Sequence, residues 1–323
     1  MQVPDWEDIR QAAKRIAPFV KRTPVFTSET LNRLTGAHLF FKCENFQKVG
    51  AFKFRGACNA VFSLNDSEAR KGVCTHSSGN HAAALSLAAR LRGIPAYVVM
   101  PENSPRVKVD AVQHYGGQIT FCAPTLTARE QTLQKIQQQT GAVFIHPYNN
   151  FLVVAGQGTV ALEFLEAIPD LDILLAPVGG GGLMSGTCLA ASVLRPDIQL
   201  IGAEPAAADD ACRSLQTGKI IPPENPRTIA DGLRTSLCPL TFQVLQQHLD
   251  SILTVSEEGI VQAMRLIWER MKIVVEPSAA VPFAAVLEHK NRFRNRRVGI
   301  ILSGGNVDLD RLPWFSPAPD ARN

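Results

Sequence analysis

From about residue 72, short apolar runs alternate with helical segments, and this alternation restricts the fold more than any other feature of the chain. Val73-Cys74-Thr75 leads into an alanine- and leucine-rich segment over 81–92. Ala96-Tyr97-Val98-Val99-Met100 leads into one carrying Val107, Val109 and Val112. Ile119-Thr120-Phe121-Cys122 precedes a polar helix over 125–140, and Val143-Phe144-Ile145 closes the series. A second series runs from a helix at 155–167 through Ile173–Val178, a helix at 183–194 and Leu200–Ala203. Helices at 239–249, 257–270 and 276–288 follow, then a last strand, Val298–Leu302. Apolar runs with no polar face are strands buried on both sides, and repeated βα is how a chain makes a parallel sheet covered by helices. The pattern predicts an α/β protein of two doubly wound open-sheet domains. The small one spans 72–148, and the large one is built from the flanks, 1–71 and 149–323.

The amino-terminal flank reads as a helix over 5–18, a short extended piece after Pro24 and a strand at 38–42. After a polar break at Glu44–Gln47 comes Lys48-Val49-Gly50-Ala51-Phe52-Lys53-Phe54-Arg55-Gly56-Ala57, which opens a helix through Val61 and Leu64. Lys53 therefore stands where a strand, a glycine turn and a helix start meet. Partial burial there lowers the pKa of an amine and suits it to Schiff-base chemistry. A surface lysine beginning a helix is the plainer reading, and the loops elsewhere decide between the two.

Ligands of open parallel sheets bind beyond the carboxyl ends of the strands. Four motifs fall there. His76-Ser77-Ser78-Gly79-Asn80-His81 supplies hydroxyls and open backbone N–H groups at a helix start, a seat for a carboxylate. A helix cap needs only one such residue. Gly179-Gly180-Gly181-Gly182, between a strand and a helix, lets backbone N–H groups wrap a phosphate with help from the helix dipole. It is neither a P-loop nor G-x-G-x-x-G, since Met184 or Ser185 falls where the last glycine belongs. At the end of the next strand, Glu204 and Asp210 are able to share a hard divalent cation. Glu204 is equally placed for a dinucleotide ribose, and Asp209 and Asp210 for simple charge at a helix N-terminus. Finally, Ser303-Gly304-Gly305-Asn306 follows the last strand, where one neutral hydroxyl can meet a flat ligand.

The composition excludes several classes. Hydrophobic residues at 46% and charged ones at 19% describe a globular protein. The net charge of +4 is dispersed, and the one dense basic cluster, Lys290–Arg297, has no aromatic platform, so nucleic acid is not an expected partner. No apolar run reaches a membrane span and the N-terminus has no signal pattern. The seven cysteines form no C-x-x-C pair and several lie in apolar runs, which points to reduced thiols and the cytoplasm.

With Lys53, the Ser-Gly-Asn loop, the tetraglycine cup and a Ser-Gly-Gly end strand in this order, the chain resembles the fold-type II pyridoxal-phosphate enzymes. Within them it is similar to the serine racemase and serine/threonine/3-hydroxyaspartate dehydratase family. Glu44-Asn45, the 50–57 block, Ala155-Gly156-Gln157-Gly158-Thr159, Thr228-Ile229-Ala230-Asp231-Gly232 and Glu276-Pro277-Ser278-Ala279 carry the match. The resemblance implies a tryptophan synthase β-like fold, a homodimer, and a small-molecule amino-acid substrate. It implies that Lys53 holds pyridoxal 5'-phosphate and acts as base at one face of Cα, with Ser78 at the opposite face. Phe52 would lie against the ring, Gly179, Gly180, Gly181 and Gly182 would bind the phosphate, and Ser303 would face the pyridine nitrogen. Ser77, Ser78, Gly79, Asn80 and His81 would receive the substrate carboxylate, Asn80 reaching the cofactor 3-hydroxyl as well. Glu204, Ala208 (through its carbonyl) and Asp210 match the family's Mg or Mn site, which favours metal over ribose. The implied activity is elimination of water from serine, threonine or 3-hydroxyaspartate to a 2-oxo or imino acid and ammonia. Amino-acid racemisation with side elimination is the alternative.

Three positions depart from the racemase pattern. Ala51 stands where a serine often precedes Phe-Lys, Ala82-Ala83-Ala84 where Gly-Gln-Ala is common in animal racemases, and Tyr148 where an asparagine is usual. Ala51 and the Pro-Tyr-Asn segment look more like bacterial 3-hydroxyaspartate dehydratases. Arg129 and Arg234 are the candidates for a second substrate carboxylate.

Overall fold

A computed structural model describes residues 2–77, 79–104 and 106–314. Ten strands are present among them: β1 (Val25–Phe26), β2 (His38–Cys43), β3 (Val73–His76), β4 (Ala96–Pro101), β5 (Gln118–Cys122), β6 (Val143–Phe144), β7 (Ile173–Pro177), β8 (Gln199–Pro205), β9 (Ser251–Val255) and β10 (Arg297–Leu302). They form two sheets, one of order β1-β2-β10-β7-β8-β9 and one of order β5-β4-β3-β6. Every pairing is parallel except β1 with β2. The central strands β7 and β10 are buried almost throughout, as expected of sheets covered on both faces. The short piece after Pro24 is the antiparallel edge strand. Strand β9 and the helices Glu29–Thr35, Asp66–Lys71 and Asp210–Thr217 add to the elements expected from the pattern.

Parallel register brings the functional loops together. Cys43 of β2 pairs with Leu302 of β10, and β10 runs beside β7, so the loops after Cys43, Pro177 and Leu302 leave one edge side by side. Three helices then pack almost backbone to backbone. A Cβ on Gly156 would come within 2.6 Å of Gly56 Cα, and one on Gly186 within 2.5 Å of Gly158 N. These glycines let helix Phe151–Ala167 touch both helix Lys53–Ser63 and helix Gly182–Leu194. The lysine helix and the helix after the tetraglycine loop are thereby fixed through one intermediary.

The first turn of helix Lys53–Ser63 has Phe52 as its N-cap and no side-chain cap. A buried charge network holds it instead. Arg55, fully buried, donates Nε to Glu44 Oε2 at 2.8 Å, Nη2 to Glu44 Oε1 at 2.8 Å and Nη1 to Glu163 Oε1 at 2.7 Å. Lys42 Nζ reaches Glu163 Oε2 at 2.6 Å, and Thr23 Oγ1 donates to Glu44 Oε1 at 2.6 Å. Desolvation alone would raise the Glu163 carboxyl, but the bonds and charges of Arg55 and Lys42 hold it below the ordinary value. Two residues of the segment read as a polar break, Glu44 and Gln47, are thus buried, Glu44 at 0% exposure. Removing one partner of such a network strands a buried charge. Arg55→Met is expected to cost about 3–5 kcal/mol of unfolding free energy in a urea titration. A loss below about 1 kcal/mol, the size of a surface pair, would contradict the anchoring role.

Candidate active site

The carboxyl edges of the two sheets face one cavity of about 1110 Å³, ample for a small ligand and a substrate. Phe52, Lys53, Ser77, Gly79, Asn80, His81, Gly179, Gly180, Gly181, Gly182 and Ser303 all line it, as do both candidate arginines, Arg129 and Arg234. Ser78 lies outside the described residues. Glu204, Ala208 and Asp210 lie apart from the cavity lining, in a buried group behind β8.

Lys53 begins its helix at the floor of the cavity, and its Nζ donates to the Pro147 carbonyl at 3.2 Å. Burial brings its pKa down to about 8, against an upward pull from the Glu276 carboxylate. About a tenth of this amine is therefore unprotonated at pH 7, and about half at pH 8, the form a nucleophile or base requires. The segment before it is stitched to the loop after β10. Ala51 bridges Gly304, Phe52 N–H donates to the Ser303 carbonyl at 3.0 Å, and Gly305 N–H to the Gly50 carbonyl at 2.9 Å. Lysine and serine are thus set by the same pair of backbone segments.

The tetraglycine loop is a cradle that side chains would fill. A Cβ on Gly179 would lie 2.9 Å from Leu233 Cα, and Gly181 sits at φ +81°, a conformation that favours glycine. Helix Gly182–Leu194 starts there, so its N-terminal dipole and free N–H groups face the cavity edge. On the opposite sheet, helix Asn80–Arg92 starts directly after β3 with Gly79 as N-cap. His81 is nearly fully buried, and its Nε2 meets the Ile145 carbonyl at 3.0 Å. Burial, with Lys53 adding, takes its pKa down to about 3, so the ring is neutral and Nε2 carries the proton. Its side chain offers an anion no donor; its backbone N–H, in the first helical turn, does.

Several lining residues were given no role from the sequence. Glu276, the N-cap of helix Pro277–Glu288, is 4% exposed and accepts from Asn80 Nδ2 at 2.8 Å. Burial pushes its carboxyl up to about 8. Lys108 and Asp231 form an ion pair between the two halves of the wall. His146 accepts at Nδ1 from the N–H groups of Tyr148 (3.2 Å) and Asn149 (2.8 Å), which leaves its proton on Nε2. Burial lowers its pKa to about 4. Tyr148 packs its ring against Gly180 and its Cβ against Gly182, and shares a 2.7 Å hydrogen bond with Thr235. The advance signals for Glu276 were its place before a proline at a helix start and its membership of the Glu276-Pro277-Ser278-Ala279 segment.

Of the two arginines, Arg234 is committed to the Thr228 carbonyl. Among the described residues Arg129 makes a single long bond, to the Thr125 carbonyl at 3.4 Å, and keeps most of its guanidinium available. Behind β8, Glu204 accepts from the N–H groups of Ala211 (3.1 Å) and Cys212 (2.9 Å), capping helix Asp210–Thr217 from outside. Asp210 is fully buried, yet neither carboxylate oxygen has a hydrogen-bond partner among the described residues. Burial raises Glu204 to about 8 and Asp210 to about 7.

The chain matches the family model for pyridoxal-phosphate dependent enzymes over residues 16–304. It is 55% identical over 314 residues to the β-hydroxyaspartate dehydratase of Paracoccus denitrificans, covering 97% of this chain and 100% of that protein. It is 53% identical to the serine racemase of Arabidopsis thaliana, covering 95% and 94% of the two chains. Among solved structures, maize serine racemase superposes with a TM-score of 0.94 at 48% identity, covering 96% of this chain and 95% of that one.

Proposed function

The chain belongs to the pyridoxal-phosphate dependent enzymes, and from that premise we propose that it is an ammonia-lyase removing water from a 3-hydroxyaspartate. The observation that carries this reading is Lys53, a buried amine brought to about pKa 8 at the floor of a glycine-cradled cavity. The cradle and the amine fit the cofactor. Lys53 would hold it through Nζ, the N–H groups of Gly179 to Gly182 its phosphate, Ser303 its ring nitrogen, Asn80 its 3-hydroxyl, and Phe52 one face of the ring. When bound, pyridoxal phosphate supplies an electron sink that acidifies the α-carbon of an attached amino acid.

The protein's own residues do the rest. Ser77 and the first-turn N–H groups of Asn80 and His81 receive the α-carboxylate. Lys53 Nζ, once released as the free amine, takes the Cα proton, and the β-hydroxyl leaves as water with a proton passed on from that ammonium. Neutral His81 and His146 add no positive charge that would compete for the substrate anion. Arg129, largely unspent and on the cavity wall, is suited to a distal carboxylate, which favours 3-hydroxyaspartate over serine or threonine. The Paracoccus relative is named for that substrate. The unit at 72–148 carries the carboxylate-binding loop and Arg129, and it would close over the substrate against the unit made of 1–71 and 149–323. Ser78, assigned to the opposite face of Cα, would support racemisation, a second reading favoured by the Arabidopsis relative. Seven free thiols, six of them buried, suit a reducing cytoplasm.

A divalent cation at Glu204, Asp210 and the Ala208 carbonyl answers the orphaned Asp210 carboxylate. Two buried acids and a carbonyl suit a hard ion such as Mg or Mn. Supplying oxygen ligands there would stabilise the β8 loop, away from the reacting atoms.

A panel of L-serine, L-threonine and the 3-hydroxyaspartate diastereomers, scored separately for 2-oxo acid and chiral product, tests the assignment. A 3-hydroxyaspartate should give kcat/KM at least about tenfold above serine and threonine, and Arg129→Ala should erase most of that margin, as one charge-assisted contact can. Equal turnover of serine, or a product pool dominated by D-serine, would overturn the substrate assignment. Chelation should lower both Tm and rate, with Mg or Mn restoring them in the wild type but not in Asp210→Ala; indifference of Tm to chelator would remove the cation.

A further inference from the structure

Glu276 occupies a helix N-cap but does not act as one. An N-cap carboxylate ordinarily accepts from N–H groups of its own first turn, whereas the Glu276 side chain makes no such bond and Pro277 follows it. The carboxylate is turned into the cavity wall and accepts from Asn80 Nδ2 at 2.8 Å. Its burial carries a desolvation cost, which the Asn80 bond and a backbone N–H bond from Asn306 offset only in part. A group held at that cost in a cavity wall, and not used by its own helix, has a task in the site.

The partners define that task. Asn306 Nδ2 donates both of its protons, to the Val49 carbonyl at 2.7 Å and to Asn80 Oδ1 at 2.9 Å. Asn80 Oδ1 is therefore an acceptor already engaged, and its Nδ2 has one proton on Glu276 and one to spare. With both ends read by different neighbours, the amide cannot flip. Asn80 meets any ligand as a donor. Gly304 leaves room for this arrangement, since a Cβ there would come within 2.6 Å of Glu276 Oε1. The charged groups that act on Glu276 across the wall are Asp231, on the loop before helix Pro239–His248, and Lys108, on helix Arg106–His114. Gly304, packed against Glu276 Oε1, bridges Ala51, two residues before Lys53, so the carboxylate lies on the lysine's side of the wall and Lys53 feels its charge in turn.

We propose that Glu276 is a positioning residue for the lysine chemistry. It fixes Asn80 with its spare N–H toward the cofactor, and its carboxylate sets how readily the neighbouring Lys53 amine gives up its proton. The inference rests on Lys53 being the amine that holds the cofactor. Glu276 and Lys53 both titrate near 8, so where Glu276 is ionised its carboxylate stabilises the Lys53 ammonium, and removing that charge should let Lys53 become a free amine at lower pH.

The test uses full-length protein freed of cofactor and then loaded with pyridoxal phosphate. Loading rate is followed by absorbance across pH, and affinity and Tm are measured in parallel. Glu276→Gln keeps an oxygen for Asn80 and loses the charge. Its affinity should stay within about threefold of wild type, while the loading midpoint moves down by about half a pH unit or more. Glu276→Ala loses both and should weaken affinity by about tenfold or more. If that variant does not fold, Asn306→Ala serves in its place: it unlocks Asn80, and should weaken affinity with the midpoint unmoved. Coincident midpoints for wild type and Glu276→Gln would overturn the charge role. Wild-type affinity in both Glu276→Ala and Asn306→Ala would overturn the orienting role. A wild type that fails to load at all would instead refute the cofactor reading on which the inference stands.

Discussion

The site depends on how one helix start is held in place. Lys53 lies in a first turn that no side chain caps, and an uncapped turn at a sheet edge would ordinarily fray. Here the Arg55 guanidinium, two residues on, is locked between Glu44 and Glu163 in the core. The Ala51–Gly304 bridge pins the residues just before it. The amine is therefore fixed from both sides, by charge on one and by backbone pairing on the other. Fixed geometry is what allows burial to act on the pKa without allowing the lysine to swing out to water.

The same economy runs through the rest of the wall. Two of the three histidines on the wall, His81 and His146, are held neutral by burial, His146 with two backbone N–H groups on its Nδ1. Asn80 is read at both ends of its amide. Lys53 and Glu276, both in the cavity wall, are brought to about pKa 8, one from above and one from below. Coupled groups of this kind titrate as a pair, so the protonation state of the site belongs to the wall as a whole.

The alternation of apolar runs with helical segments made the parallel sheets legible, because both faces of such strands must be covered. The glycine cup was legible because four glycines in succession have little other use, and the helix-packing glycines 56, 156 and 158 stood inside quotable motifs. What was not legible depended on distant partners. Glu44 reads as a polar break until Arg55, Glu163 and Thr23 surround it. Glu276 reads as a helix start until Asn80 and Lys53 are placed beside it. Strand β9 lacks the apolar run that marks its neighbours, since its residues Ser251 to Thr254 are only partly buried at a sheet edge. Of the two arginines, spacing gave no choice; the commitment of Arg234 to the Thr228 carbonyl did.

The central claim is that a single amine, Lys53, carries the cofactor. Borohydride reduction of the yellow protein, followed by proteolysis and mass spectrometry, measures this directly. One pyridoxyl group per chain is predicted, on the peptide containing Lys53 and nowhere else. A label on another lysine, or no label from a protein that had taken up the cofactor, would contradict it.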